Sequence, residues 1–167
     1  MNITPAHWHV LINHIPIIGV PMVAILLVWG LTKVNEGMIR LALIATVLMG
    51  GATWLADFTG GKAEDDVKDG KYAWVSEHII HEHEEAAEKA EIAGIATGVL
   101  ALLVLVMARG GKAPNKKAVY GVLLGLGVTA TLLAWTAWEG GDIRHDEFGM
   151  TPAAERIDKP GEMEHDH

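Results

Sequence analysis

The sequence predicts an all-α fold: an integral membrane bundle of four helices, the third extended beyond the bilayer. Three observations carry that reading. Four apolar stretches, residues 10–31, 39–58, 92–107 and 119–138, alternate with strongly charged segments. Each is roughly 16–22 residues, the length that crosses a hydrocarbon core of about 30 Å as a helix. No charge interrupts the first or the last of them, whereas a soluble four-helix bundle would carry charge along one face of every helix. The modest mean hydropathy of +0.25 hides this segregation.

The first span opens on Ala6-His7-Trp8-His9-Val10-Leu11-Ile12-Asn13-His14-Ile15-Pro16 and then runs apolar to Trp29. Its polar residues gather at one end, the pattern of a spanning helix with a site at its mouth. Thr4-Pro5 reads as an N-cap followed by proline in the first turn, so the helix starts at Pro5. Pro16 and Pro21 each remove a backbone hydrogen bond inside the span, which predicts a kink. The stretch is not a cleaved signal peptide: it lacks a basic leader, and Lys33-Val34-Asn35-Glu36 is a poor cleavage site.

A basic turn leads to the second span, which is expected to end at Trp54-Leu55-Ala56-Asp57-Phe58-Thr59-Gly60-Gly61. An acidic segment with Tyr72 and Trp74 suits the headgroup region. Ser76 reads as the cap of a long third helix, which projects about three or four turns before entering the membrane. The fourth span follows a basic loop and ends at Trp135-Thr136-Ala137-Trp138-Glu139-Gly140-Gly141. Residues 1–148 form the spanning domain and 149–167 a polar tail. Spans two and four both close on tryptophan, a carboxylate and Gly-Gly, which hints at a duplicated helix pair.

Cysteine is absent, which excludes disulfides, thiolate zinc, iron–sulfur ligation and covalently attached haem. Any metal must be held by His, Asp, Glu or Met. The net charge of -8 reflects an acidic loop and tail, not a nucleic-acid partner. Lys33, Arg40, Arg109, Lys112, Lys116 and Lys117 lie in two loops with Glu36 the one acid among them. The positive-inside rule therefore puts both termini, and all nine histidines, on the non-cytoplasmic side.

Counting along the helices puts His14, Asp57 and Glu91 at one depth, about 26–27 Å from the opposite ends of their spans. His7 and His83 fall at a second level about 10 Å further out, with Glu139 slightly deeper and His145 slightly above. His7 and His14 share a helical face with Leu11, Ile18, Met22 and Ile25, the face expected to turn inward. On the third helix His83 lies on a small apolar stripe with Ala87, Ala90, Gly94 and Ala101. His78, His81, Glu82 and Glu85 lie opposite, as a solvated face or an adventitious Zn²⁺ or Cu²⁺ site. The candidate cofactor ligands are thus His14, His7 and His83. The wider metal-binding set is His7, His9, His14, Asp57, His83, Glu91 and His145. His14 paired with Asp57 as a simple helix tie is the bland alternative. Trp54, Trp135 and Trp138 read as an interfacial belt. No nucleophile elbow, phosphate loop or His-Glu-x-x-His occurs, so no catalytic activity of its own is expected.

Three motifs also resemble a family of small bacterial four-span membrane proteins catalogued as a domain of unknown function. They are His14-Ile15-Pro16, Thr59-Gly60-Gly61-Lys62-Ala63-Glu64, and Gly140-Gly141 with His145, spread over residues 7 to 148. The resemblance implies the four-span fold in a bacterial inner membrane and, through related domains fused to cytochrome-type or Rieske-type modules, a link to electron transfer. The expected function is a membrane protein whose histidine-rich end binds a redox metal or b-type haem, with lipid and other redox subunits as partners. A structural accessory subunit and a metal-ion or proton pathway remain as alternatives.

Overall fold

A computed structural model describes residues 4–68 and 77–142. These form four helices: α1 Pro5–Thr32, α2 Glu36–Lys68, α3 Glu77–Met107 and α4 Lys116–Asp142. Tyr72, Trp74, Ser76, His145 and the 149–167 tail lie outside the described residues. All four helices are long and apolar enough to cross a membrane.

The chain runs up and down around a square. Each helix packs antiparallel on the next, and α4 returns to touch α1 more lightly. Close approaches along each seam fix the antiparallel sense. Gly30 lies against Ile39 and Gly19 against Met49 between α1 and α2, while Gly50 faces Gly98 between α2 and α3. Thr97 covers Gly125 between α3 and α4. Small residues are what these seams need, because lipid offers no hydrophobic drive for helices to associate and close contact must supply it. The Gly50–Gly98 crossing is backbone on backbone, so the small stripe of α3 is spent on helix packing.

Local chemistry starts and stops each helix. Thr4 caps α1 by accepting from the His7 amide, with Pro5 in the first turn as expected. Asn35 caps α2 through its side-chain oxygen on the Met38 amide, and Asn115 caps α4 on the amides of Lys117 and Ala118. The α1–α2 turn needs only residues 33–35, with Val34 at a positive φ of 50°. At the same end Arg40 reaches from α2 to the carbonyls of Ala108 and Lys112. Its cation thereby meets the electronegative C-terminus of α3.

The core holds Val20, Leu27, Leu43, Val104, Val122 and Leu126. Larger apolar side chains face outward instead: Leu11, Met22, Ile25, Leu48 and Leu124 are all 63% or more exposed. Between 28% and 33% of each span's apolar window is buried within the bundle, so most of that surface has to meet something other than protein. In water such continuous apolar exposure would aggregate, and lipid is the medium that suits it. The chain is therefore an integral membrane protein. Tryptophans mark the rims: Trp54 stacks on Phe58, Lys62 and Lys89 lie over Phe58 and Trp135 at one end, and Lys33 lies over Trp29 at the other.

α1 runs as one helix from Pro5 to Thr32 with Pro16 and Pro21 inside it. α2 does not stop at Gly60-Gly61 but continues to Lys68, so α2 projects past the apolar span as α3 does. Gly60 is covered there by a side chain from α1.

Candidate functional site

At the end where α1 begins and α4 finishes, His9 and His83 turn inward from α1 and α3. Both are half-buried. Their rings meet edge to face, centroids 6.3 Å apart and planes inclined at 82°. Each ring is also anchored to the following helix. The Nδ1 of His9 lies 3.1 Å from the Ala56 carbonyl oxygen on α2, and that of His83 lies 3.0 Å from the Thr136 carbonyl oxygen on α4. A carbonyl can only accept, so Nδ1 carries the proton in each neutral ring and the Nε2 lone pair is left free.

Sequence arranges this locally. A helix carbonyl is ordinarily shielded by the side chain one turn further on. Here that residue is Gly60 after Ala56 and Gly140 after Thr136, and each imidazole lies over the bare glycine. Thr59 adds a hydroxyl 3.4 Å from the His9 Nδ1, itself donating to the Leu55 and Ala56 carbonyls.

Carboxylates flank the pair without enclosing it. Asp57 is half-buried on α2, within electrostatic reach of His9 and Glu88, and Glu91 of α3 is within reach of both Asp57 and Glu88. Glu139 lies near His83 and accepts from the Trp135 indole at 2.8 Å. One turn inward from His9, Asn13 carries a buried side-chain oxygen with no hydrogen-bond partner. Below these the bundle axis is lined by buried Thr46, Thr53, Thr97 and Thr129, whose hydroxyls bond back to carbonyls of their own helices.

The expected ligand trio of His14, His7 and His83 is not gathered. His83 is inward, as its stripe of Ala90, Gly94 and Ala101 requires. His7 and His14 do share a face with Leu11, Ile18, Met22 and Ile25, but that face is the outward one. His14 bonds to the Val10 carbonyl of its own helix instead of to Asp57, and His7 bonds to Thr4. The inward histidine of α1 is His9, about 200° round the helix from His7 at about 100° per residue. His78 and His81 are exposed, His78 lying 3.6 Å from Glu82. Asp57 and Glu91 come within electrostatic reach of one another, and His145 lies outside the described residues. Among the described residues no three histidines or carboxylates converge as a metal cage. Sequence reasoning passed over the two carbonyl acceptors and the glycines beneath the rings. The repeated Gly-Gly pair was their one visible trace.

The fold and site define a class: a four-span membrane bundle with two opposed, backbone-anchored imidazoles at one end. No family model, no curated protein and no solved structure matches the chain.

Proposed function

We propose that the bundle is an electron-transfer protein in which His9 and His83 are the two protein ligands of one redox metal atom, a b-type haem iron being the form their donor set suits. The observation that carries this is the shared geometry of the two rings. Each Nδ1–H is fixed on a backbone carbonyl, the arrangement that orients a metal-ligating imidazole and raises its basicity. The two ring centroids lie 6.3 Å apart, close enough for one metal atom to be shared between them. A protein-only zinc or copper site takes three or four side-chain ligands, whereas a haem iron would need no more than these two from the chain. A haem held in this way supplies one-electron exchange. The chain's own part is to fix both imidazoles and place acidic groups beside them.

The loop charges support a topology with the histidine end outside the cytoplasm. With the motif resemblance, they favour a bacterial inner-membrane setting within a larger respiratory assembly. One observation favours a second reading. Each imidazole already ties one helix to the next, α1 to α2 and α3 to α4, which is the role of a structural accessory subunit.

The discriminating experiment is a visible spectrum and metal analysis of gently purified protein from haem-replete cells. The proposal expects a Soret band that His9→Ala and His83→Ala each abolish and His14→Ala leaves in place. Wild-type protein without a chromophore and without stoichiometric transition metal would leave the accessory role standing.

A further inference from the structure

The two halves of the site repeat one another more closely than their sequences do. His9 sits with its Cε1 and Nδ1 at 3.1 and 3.3 Å from where a Cβ on Gly60 would stand, and its Nε2 at 3.9 Å. His83 presents the same three atoms in the same order to Gly140, at 2.9, 3.2 and 3.8 Å. In both halves the acceptor carbonyl lies four residues before the glycine, on Ala56 and on Thr136. The glycine that follows each, Gly61 or Gly141, faces open space. Flanking positions do not match, so the likeness is one of geometry: α1–α2 and α3–α4 are two copies of a single imidazole seat.

We infer that Gly60 and Gly140 are paired positioning residues, each leaving room for one imidazole ring to settle with its Nδ1 on the carbonyl four residues earlier. This deepens the bis-imidazole reading, which needs both rings held, while the seats themselves stand without a metal. A methyl group on Gly140 would stand inside contact distance of the His83 ring. The ring cannot retreat without leaving the Thr136 carbonyl that holds it. Gly60 is slightly looser, and the His9 ring would have to give by a few tenths of an ångström. Two glycines with open space beside them provide the control on the same helices.

The test uses the full chain in detergent with ¹⁵N-labelled histidine. Gly60→Ala should shift the Nδ1–H resonance of His9 and leave that of His83 nearly in place. Gly140→Ala should do the reverse, with the larger shift. Gly61→Ala and Gly141→Ala should move neither. Where a single variant folds poorly, the same alanine on a His9→Ala or His83→Ala background should fold better, because the clashing ring is gone. Unmoved histidine resonances in both seat variants, or equal shifts in seat and control variants, would overturn the assignment. If wild type carries a chromophore, each seat variant should also lower its occupancy several-fold. A wild type with no chromophore defeats the electron-transfer reading and leaves the resonance arm to decide on the seats.

Discussion

Replacing His83 by alanine removes a cross-helix hydrogen bond and an imidazole wedged between α3 and α4. The bond to Thr136 is worth about 0.6–1.7 kcal/mol by the standard of polar contacts inside membrane proteins. The Thr136 carbonyl keeps its own helix partner, so no acceptor is orphaned and no further desolvation cost applies. Emptying a fully buried site costs about 2–5 kcal/mol; the His83 ring is half-buried at a bundle end, which suggests about 1 kcal/mol. The sum is about 2 kcal/mol. His78→Ala removes only a solvent-facing ring whose 3.6 Å contact with Glu82 joins side chains 62% and 53% exposed, worth about 0–0.5 kcal/mol. His81 is exposed in the same way. Reversible unfolding in mixed micelles, titrated with a denaturing detergent, reads all three on one scale. Equal losses for His78→Ala, His81→Ala and His83→Ala would refute the packing argument, as would a loss below about 0.5 kcal/mol at His83.

Two further outcomes bear on the bundle itself. Gly50→Ala places a methyl 3.0 Å from the Gly94 carbonyl oxygen and 3.3 Å from the Gly98 Cα, backbone that cannot step aside. It should cost about 1–3 kcal/mol, whereas Gly51→Ala, with nothing within 4 Å, should gain up to about 1 kcal/mol from helix propensity. The same micelle titration checks the opposite signs. Reporter fusions after Lys33, Tyr72, Lys116 and Asp158 should read cytoplasmic, outside, cytoplasmic and outside. Cytoplasmic signals at Tyr72 and Asp158 would invert the orientation drawn from the loop charges.

The spans were legible because lipid-crossing helices must be long and apolar, and the charged segments bracket them closely. The start of α1 at Pro5 and the inward stripe of α3 followed from capping chemistry and from small residues at four-residue spacing. The far end of α2 was not legible. The acidic segment after Gly60-Gly61 carries no apolar pattern that marks a helix, yet α2 runs on to Lys68. The Asn35 and Asn115 caps lie in short turns that also hold the basic residues, where the capping signal is two lone asparagines.

The choice of histidine on α1 turned on a sign that periodicity does not supply. At about 100° per residue, His7 and His14 share one face and His9 points nearly opposite. In a soluble helix the apolar face is the inner one. Here both faces are apolar, and shared membership says nothing about which is buried. Residue size does. The inward side of α1 carries Pro16, Val20, Val23 and Gly30 besides Leu27, and the outward side carries Leu11, Ile18, Met22 and Ile25. Helices in lipid bury their small residues, since close backbone approach is what holds them together. That rule, which placed His83 correctly on α3, also selects His9 on α1. The two inward imidazoles then belong to the two helices that begin at the same end of the bundle, and the opposed pair follows from helix packing.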